Sequence, residues 1–286
     1  MAMSAATKCV GSLVNVGHRI KHASLRTIDS LETELLGREG LSFAIAAERV
    51  DWVPEPLDSS CWRCGLSVGP FETDGDGCSS CRGTKLQWDR SIRMGLYEGI
   101  IRDAIIDLKF RRWILSGSQL GAQFGSQIGE QLASMGLNPE EVLIVPVPIT
   151  HRRRIKRGVD HTGVLAQGVS KTSGIRVARL LKARNRAEQI GLSATARSHN
   201  VRGAFFADLA AVDRVFKKSI DGAANPDKSS VRAILILDDV RTTGSTLGEA
   251  CKTLAKALKA YSAVNSVEIW AASIALANGE RKPGPI

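Results

Sequence analysis

The sequence predicts an α/β chain built on a parallel sheet, on three observations. Two short uninterrupted apolar runs, Val142 to Val147 and Ala233 to Leu237, have the length and aliphatic content of strands buried on both faces. Helical periodicity alternates with them over Ile100 to Phe110, Leu165 to Gly174 and 246–260, and a last strand is predicted over 267–275. Alternation of this kind is the signature of strand–helix–strand units whose strands run the same way.

Taken in order, the apolar residues Val10, Leu13, Val14, Ile20, Leu25, Ile28, Leu31 and Leu35 recur at helical spacing. They predict one or two amphipathic helices that pack against or cap the main domain, or alternatively meet a partner or membrane surface. The stretch Trp52-Val53-Pro54-Glu55-Pro56 breaks any helix and reads as a linker. The expected organisation is a helical extension and linker over 1–58, a small cysteine-bearing module over 59–88, an α/β domain over 89–280 and a tail over 281–286. Within the α/β domain, residues 207–230 are expected to form a surface insertion, helical over Ala207 to Lys218 and loop-like from Asp221 to Pro226.

A chain of 286 residues with 43% apolar and 24% charged side chains is long and apolar enough to fold around a real core. Lys and Arg number 39 against 29 Asp and Glu, a formal charge of +10, which favours anionic partners without choosing among phosphates, nucleic acid and acidic surfaces. No run approaches the ~18 apolar residues of a transmembrane helix, and the first twenty residues lack a secretion pattern. The expectation is a cytoplasmic protein. Cys9 and Cys251 then read as reduced thiols.

The other four cysteines, Cys61, Cys64, Cys78 and Cys81, form two C-x-x-C knuckles separated by 13 residues. Paired knuckles bring four thiolates within tetrahedral reach of one Zn²⁺, with no open position, so the site is structural. Gly65 and Gly83 suit the tight turns that aim backbone N–H groups at sulfur. Residues 59–88 are too poor in aliphatics to hold together otherwise. Iron in the same thiolate set, or paired thiols without metal, are the alternatives.

The segment Ala233-Ile-Leu-Ile-Leu-Asp238-Asp239-Val240-Arg241-Thr242-Thr243-Gly244-Ser245-Thr246 carries the strongest functional signal. An apolar strand ends in two carboxylates and passes through a hydroxyl-rich turn into a helix. The unpaired N–H groups of such a turn, the helix dipole and the hydroxyls of Thr242, Thr243, Ser245 and Thr246 together suit a phosphate ester. Carboxylates beside a phosphate call for a ligand that also bears hydroxyls, or for a divalent cation, and a ribose 5-phosphate meets the first condition. The alternative is an ordinary capped helix, with Ser245 or Thr246 as its cap. The turn is neither a Walker A nor a dinucleotide fingerprint.

His151-Arg152-Arg153-Arg154-Ile155-Lys156-Arg157 places five formal positive charges after the strand that ends near Val147. Diphosphate contact, nucleic-acid contact and a solvated face all remain open for Arg152, Arg153, Arg154, Lys156 and Arg157. Trp113 is a base-stacking or a core residue. The histidines show no metal spacing, and no general base or nucleophile is assigned.

In sequence order, the doubled C-x-x-C, Tyr97-Glu98-Gly99, Leu108-Lys109-Phe110-Arg111, Val145-Pro146-Val147-Pro148, Arg157-Gly158, Gln189-Ile190-Gly191-Leu192-Ser193, Arg197, Asn200-Val201-Arg202-Gly203-Ala204-Phe205 and the aspartate–threonine loop form one ordered set. With this set the chain resembles the ComF-type phosphoribosyltransferase-like family, which includes competence proteins. The resemblance implies a type I phosphoribosyltransferase-like parallel sheet flanked by helices, with a small N-terminal four-cysteine zinc module. It implies binding of 5-phosphoribosyl 1-diphosphate (PRPP), with Asp238 and Asp239 on the ribose hydroxyls, Thr242, Thr243, Gly244, Ser245 and Thr246 on the 5-phosphate, and Mg²⁺ beside the diphosphate. Two functions follow as expectations. One is a PRPP-binding protein of DNA uptake or nucleotide metabolism, with Mg²⁺-dependent phosphoribosyl transfer. The other is a non-catalytic single-stranded-DNA-binding competence factor, a partner of the DNA-uptake machinery, in which the PRPP site is regulatory or vestigial. The chain departs from the family's R-G-F-N-Q with Arg157-Gly158-Val159-Asp160-His161.

Overall fold

A computed structural model describes residues 41–184, 201–216, 231–259 and 267–277. The helices expected between Cys9 and Leu36, the block Gln189 to Ser193 and the loop over 221–226 lie outside the described residues. The chain forms two compact units, Met1–Trp52 and Val53–Ile286. In the first, helix α1 (Phe43–Arg49) is followed by a turn that brings the Trp52 ring edge-on to Phe43 at 5.4 Å.

The second unit begins with an irregular segment containing the short antiparallel pair β1 (Thr73–Asp74) and β2 (Gly77–Cys78). It continues through β3 (Arg90–Leu96), α2 (Gly99–Ile106), a π-helical turn over Asp107–Arg111, α3 (Ile114–Ser134), β4 (Val142–Pro146), α4 (His151–Arg157), α5 (His161–Ser173) and β5 (Arg176–Val177). Then come the antiparallel pair β6 (Leu181–Ala183) and β7 (Phe205–Ala207), α6 (Leu209–Phe216), β8 (Ala233–Arg241), α7 (Ser245–Leu258) and β9 (Glu268–Leu276). Strands β3, β9, β8, β4 and β5 pair in that order, every pairing parallel, so the predicted α/β class with a helix-flanked parallel sheet is the one observed.

The apolar runs read as strands are buried along their length, and Val142 to Pro146 lie opposite Ala233 to Leu237. Pro146, the last residue of β4, therefore lies level with Leu237, the residue before the two aspartates, and the segments that follow both emerge at one sheet edge. That edge is where ligands bind in open α/β sheets.

Sequence periodicity places no element over 114–134, yet α3 is a helix of 21 residues. Its buried face includes Gly117, Gly121 and Gly125, poor helix formers that serve here as contact points. A Cβ on Gly121 would stand 2.4 Å from the Leu165 carbonyl, one on Gly125 2.4 Å from that of Val169, and one on Gly168 of α5 2.4 Å from that of Ser118. Only glycine permits α3 and α5 to approach this closely. At the head of α3, Trp113 is 1% exposed, so it is a core residue and no platform for a base.

The expectation of a surface insertion over 207–230 is corrected in part. Ala211, Val212 and Phe216 of α6 are buried in the cluster formed by Leu143, Val145, Ile234, Ile236 and Leu254. An apolar stripe on a short helix was read as an appendage because it falls outside the strand–helix alternation; it closes one face of the core.

Candidate functional site

Cys61, Cys64, Cys78 and Cys81 are buried together, their sulfurs all within 4.8 Å of one another. Sγ separations are 3.8 Å for Cys61–Cys81, 3.6 Å for Cys64–Cys78 and 3.8 Å for Cys78–Cys81. A tetrahedron with metal–sulfur bonds of about 2.3 Å has edges of about 3.8 Å. The four side chains therefore fit a tetrathiolate metal centre. Gly65 and Gly83 turn at φ of 69° and 73°, the left-handed geometry the tight knuckles require. Without a cation the cluster holds protons unevenly: a hydrogen bond from Cys64 drives the Cys61 thiol down, the same bond pushes Cys64 up, and burial raises Cys81. Among the described residues the hydrophobic side chains packed against the sulfurs are Leu66, Val68 and Leu86, so the cluster is the module's core.

Arg63 donates to the Cys81 carbonyl and to that of Thr84 at 2.7 Å, and the Ser91 N–H of β3 donates to the Trp62 carbonyl at 2.8 Å. These bonds tie the knuckles to each other and to the sheet.

Strand β8 runs through both carboxylates to Arg241, farther than its apolar run suggests, and the turn Thr242-Thr243-Gly244 leads into α7. The N-cap is Gly244, in left-handed geometry with φ of 78° and no side chain, so neither Ser245 nor Thr246 is spent as the cap. Thr243 Oγ1 and Ser245 Oγ lie 2.8 Å apart, and the Ser245 N–H leans on Thr243 Oγ1 at 3.4 Å. The first turn of α7 has no intrahelical acceptors for its N–H groups, which gives the loop the donors and positive dipole end of an anion site. Thr243, Gly244 and Ser245 face a cleft of about 350 Å³, opposite Trp88, Arg202 and Lys252.

The two aspartates differ. Asp238 is half-buried and accepts the Asp239 N–H at 2.9 Å. Asp239 is 5% exposed, and its Oδ2 stands 2.8 Å from Lys109 Nζ and 2.9 Å from His161 Nε2. Burial pushes Asp238 up, reinforced by the neighbouring Asp239 charge. Burial pushes Asp239 up as well, but the His161 hydrogen bond and the Lys109 charge outweigh it and hold its carboxyl below the usual range. Asp239 is thus committed to internal partners, and Asp238 is the freer acid.

The basic stretch forms α4, capped by Thr150, whose Oγ1 accepts the Arg153 N–H at 3.3 Å, and ended by Gly158. Residues 151–156 are exposed. Arg153, Lys156 and Arg157 line a second cleft of about 320 Å³ with Lys109, Phe110 and Arg112. Arg152 and Arg154 do not line it. Arg157 also reaches His161 at 3.2 Å, so the cleft connects with the Asp239 cluster through Lys109, Arg157 and His161.

The chain is 26% identical over 212 residues to Competence protein F of Haemophilus influenzae, covering 73% of this chain and 82% of that protein. It is a homologue of the ComF-type proteins. DNA utilization protein YhgH of Escherichia coli K12 is 27% identical over 213 residues, and that of Salmonella typhi 26% over 214, each match covering 82% of the relative. No protein-family model matches the chain.

Sequence reasoning does not place four residues of this site. Lys109 reads from the sequence as part of a motif and as a cation that extends the basic field of Arg152 to Arg157, and its pairing with Asp239 is visible only in the fold. His161 was noted only where the chain departs from its relatives' pattern, and it takes up Asp239. Trp88 and Arg241 link the loop to the cysteine module; Trp88 lies in no pattern that periodicity or spacing detects, and Arg241, though inside the loop segment, shows its contact with Cys64 only in the fold. The leftover Cys251 is buried in α7, and burial pushes its thiol up, so it is an inert core residue.

Proposed function

We propose that the protein is a PRPP-binding, phosphoribosyltransferase-like factor of DNA uptake or nucleotide metabolism, with a structural zinc in its cysteine knuckles. The observation that carries this reading is the joint position of the Thr242–Thr246 turn, Asp238 and the basic cleft at the ends of two adjacent parallel strands. In it, the turn and the start of α7 hold the 5-phosphate, Asp238 accepts from the ribose hydroxyls, and Lys109, Arg153, Lys156 and Arg157 neutralise the diphosphate. Asp239 acts on the ligand through the partners it fixes, since its Oδ2 already faces Lys109 and His161. The Mg²⁺ expected to accompany PRPP would supply positive charge to the diphosphate, which would ease its departure from C1. No residue near the turn is placed as a general base, so phosphoribosyl transfer depends on positioning and charge neutralisation by this chain. Zinc suits the knuckles because four buried thiolates leave no open position.

Isothermal titration of the purified protein with PRPP and Mg²⁺ tests the reading. Saturable binding that Asp238→Asn weakens at least about tenfold supports it; absence of binding removes it. Diphosphate release with a panel of bases, amines and DNA then tests transfer.

A second reading is favoured by α4 and by the names of the relatives, which refer to competence and DNA utilization. The exposed helix offers a run of cations, and Phe110, 70% exposed, lies beneath the Arg157 guanidinium at 5.9 Å. Cations beside an aromatic face suit single-stranded DNA. A gel shift with single-stranded DNA that survives Arg153→Ala, Lys156→Ala and Arg157→Ala together would remove this surface from consideration.

A further inference from the structure

We propose that the cysteine knuckles act as a positioning element for the anion loop, and that Arg241 and Trp88 carry the coupling. The inference rests on the PRPP reading for its ligand and goes beyond it in giving the metal module a part in that site.

Arg241 is the last residue of β8 and immediately precedes Thr242. Its guanidinium turns away from the loop, is 7% exposed and donates to the carbonyl of Cys64, a knuckle cysteine. Among the described residues no carboxylate pairs with it. Its charged neighbour Arg93 repels it, Arg93 being itself held by Glu55 at 2.7 Å. An isolated buried guanidinium is costly. A divalent metal on four thiolates has a net charge of −2, and that cluster lies directly behind the Cys64 carbonyl. Arg241 from the sheet and Arg63 from the module each donate to the carbonyl of a cysteine in the set, so two cations face the two excess negative charges. The metal–thiolate cluster is the counter-ion of Arg241.

Trp88 forms the other half of the link. Its Nε1 donates to the Arg63 carbonyl at 3.0 Å, and its ring lies 5.9 Å from the Arg241 guanidinium. The far edge of the ring meets Gly244, where a Cβ would stand 3.0 Å away. The Gly244 backbone, which sets the turn into α7, thus rests on an aromatic wall held by the knuckles. Space on the Arg241 side is equally tight: a Cβ on Gly65 would lie 2.6 Å from Ser91 Oγ and 2.9 Å from the Arg241 guanidinium. Loss of the metal, with the four thiolates taking up protons from solvent in its place, releases the Cys64 turn, removes the negative charge facing Arg241 and loosens both supports of the loop. Outer contacts of this kind orient a site without touching its ligand.

The experiment compares metal-loaded wild type, chelator-stripped wild type, Arg241→Met, Arg241→Lys and Trp88→Leu. It reads metal per chain, ribose 5-phosphate and Mg²⁺–PRPP affinity, and hydrogen exchange of peptides spanning 241–247 and 269–275. Arg241→Met and Trp88→Leu should keep their metal yet bind either ligand at least about tenfold more weakly. Exchange should accelerate in 241–247 and stay unchanged in 269–275, with Arg241→Lys recovering part of the loss. Stripping the metal should reproduce the loop effect. Wild-type exchange in 241–247 for both the stripped protein and Trp88→Leu overturns the coupling, whatever Arg241→Met does to folding. If wild type binds neither ligand while the loop exchange still responds, the ligand reading fails and the coupling stands.

Discussion

Arg241 and Arg152 count equally in a net charge and have nothing else in common. Arg241 is enclosed between a cysteine knuckle and a tryptophan ring; Arg152 stands on an exposed helix, outside the cleft that Arg153, Lys156 and Arg157 line. The formal charge of +10 is therefore a sum over two populations. Enclosed cations, Arg93 and Arg241, fix the architecture around the loop. Exposed ones on α4 face solvent, and only these follow the composition argument for anionic partners. The difference shows that charge informs on partners only after burial has sorted it.

Breaking the enclosed set should have the largest effect. Cys78→Ser removes one of the four sulfurs at the centre of a module with almost no aliphatic core. Loss of the metal, measured by elemental analysis, should accompany a drop in Tm of about 10 °C or more in a unit of this size. Glu55→Ala comes next, because it strips the partner from Arg93, whose side chain is 1% exposed. Destabilisation of about 3 kcal/mol is expected by chemical denaturation. Arg152→Ala should lie within about 0.5 kcal/mol of wild type in the same assay.

The exposed set is sharpened by salt. Each phosphate contact contributes about 0.7 to the slope of log K against log salt for single strands. Joint replacement of Arg153, Lys156 and Arg157, which line the cleft, should flatten the slope by about 2 for single-stranded DNA. Replacing Arg152 and Arg154, which do not, should change it less.

The same sorting by burial explains what the sequence made legible. Ala233 to Leu237 reads as a buried strand because every residue in it is apolar, and the doubled C-x-x-C reads as a metal knuckle because four thiolates at that spacing have one common use. The turn after Asp239 was legible from its hydroxyls and glycine. Helix α3 was not, because Gly117, Gly121 and Gly125 reverse the usual propensity signal at a helix contact. Nor was the division of labour between Asp238 and Asp239. That depends on Lys109 and His161, 130 and 78 positions away in the chain from Asp239, which only the tertiary fold brings to one oxygen.

A last comparison separates the two acids by pH. Asp239 has a folded-state value depressed below the ordinary 3.8 of an aspartate, so its stabilising contribution is present above that value and is lost as pH falls through the folded one. Asp238 is opposite: burial and the Asp239 charge push it up to about 7. Between about 4 and 7 the native chain then retains a proton the unfolded chain has released, and stability falls as pH rises across that window. Asp238→Asn should flatten the decline and leave the variant more stable than wild type at pH 8, while Asp239→Asn should be less stable there because Lys109 loses its counter-charge. Thermal melts from pH 4 to 8 check both signs. A parallel decline in wild type and Asp238→Asn would mean that Asp238 titrates normally and that the two acids are equivalent.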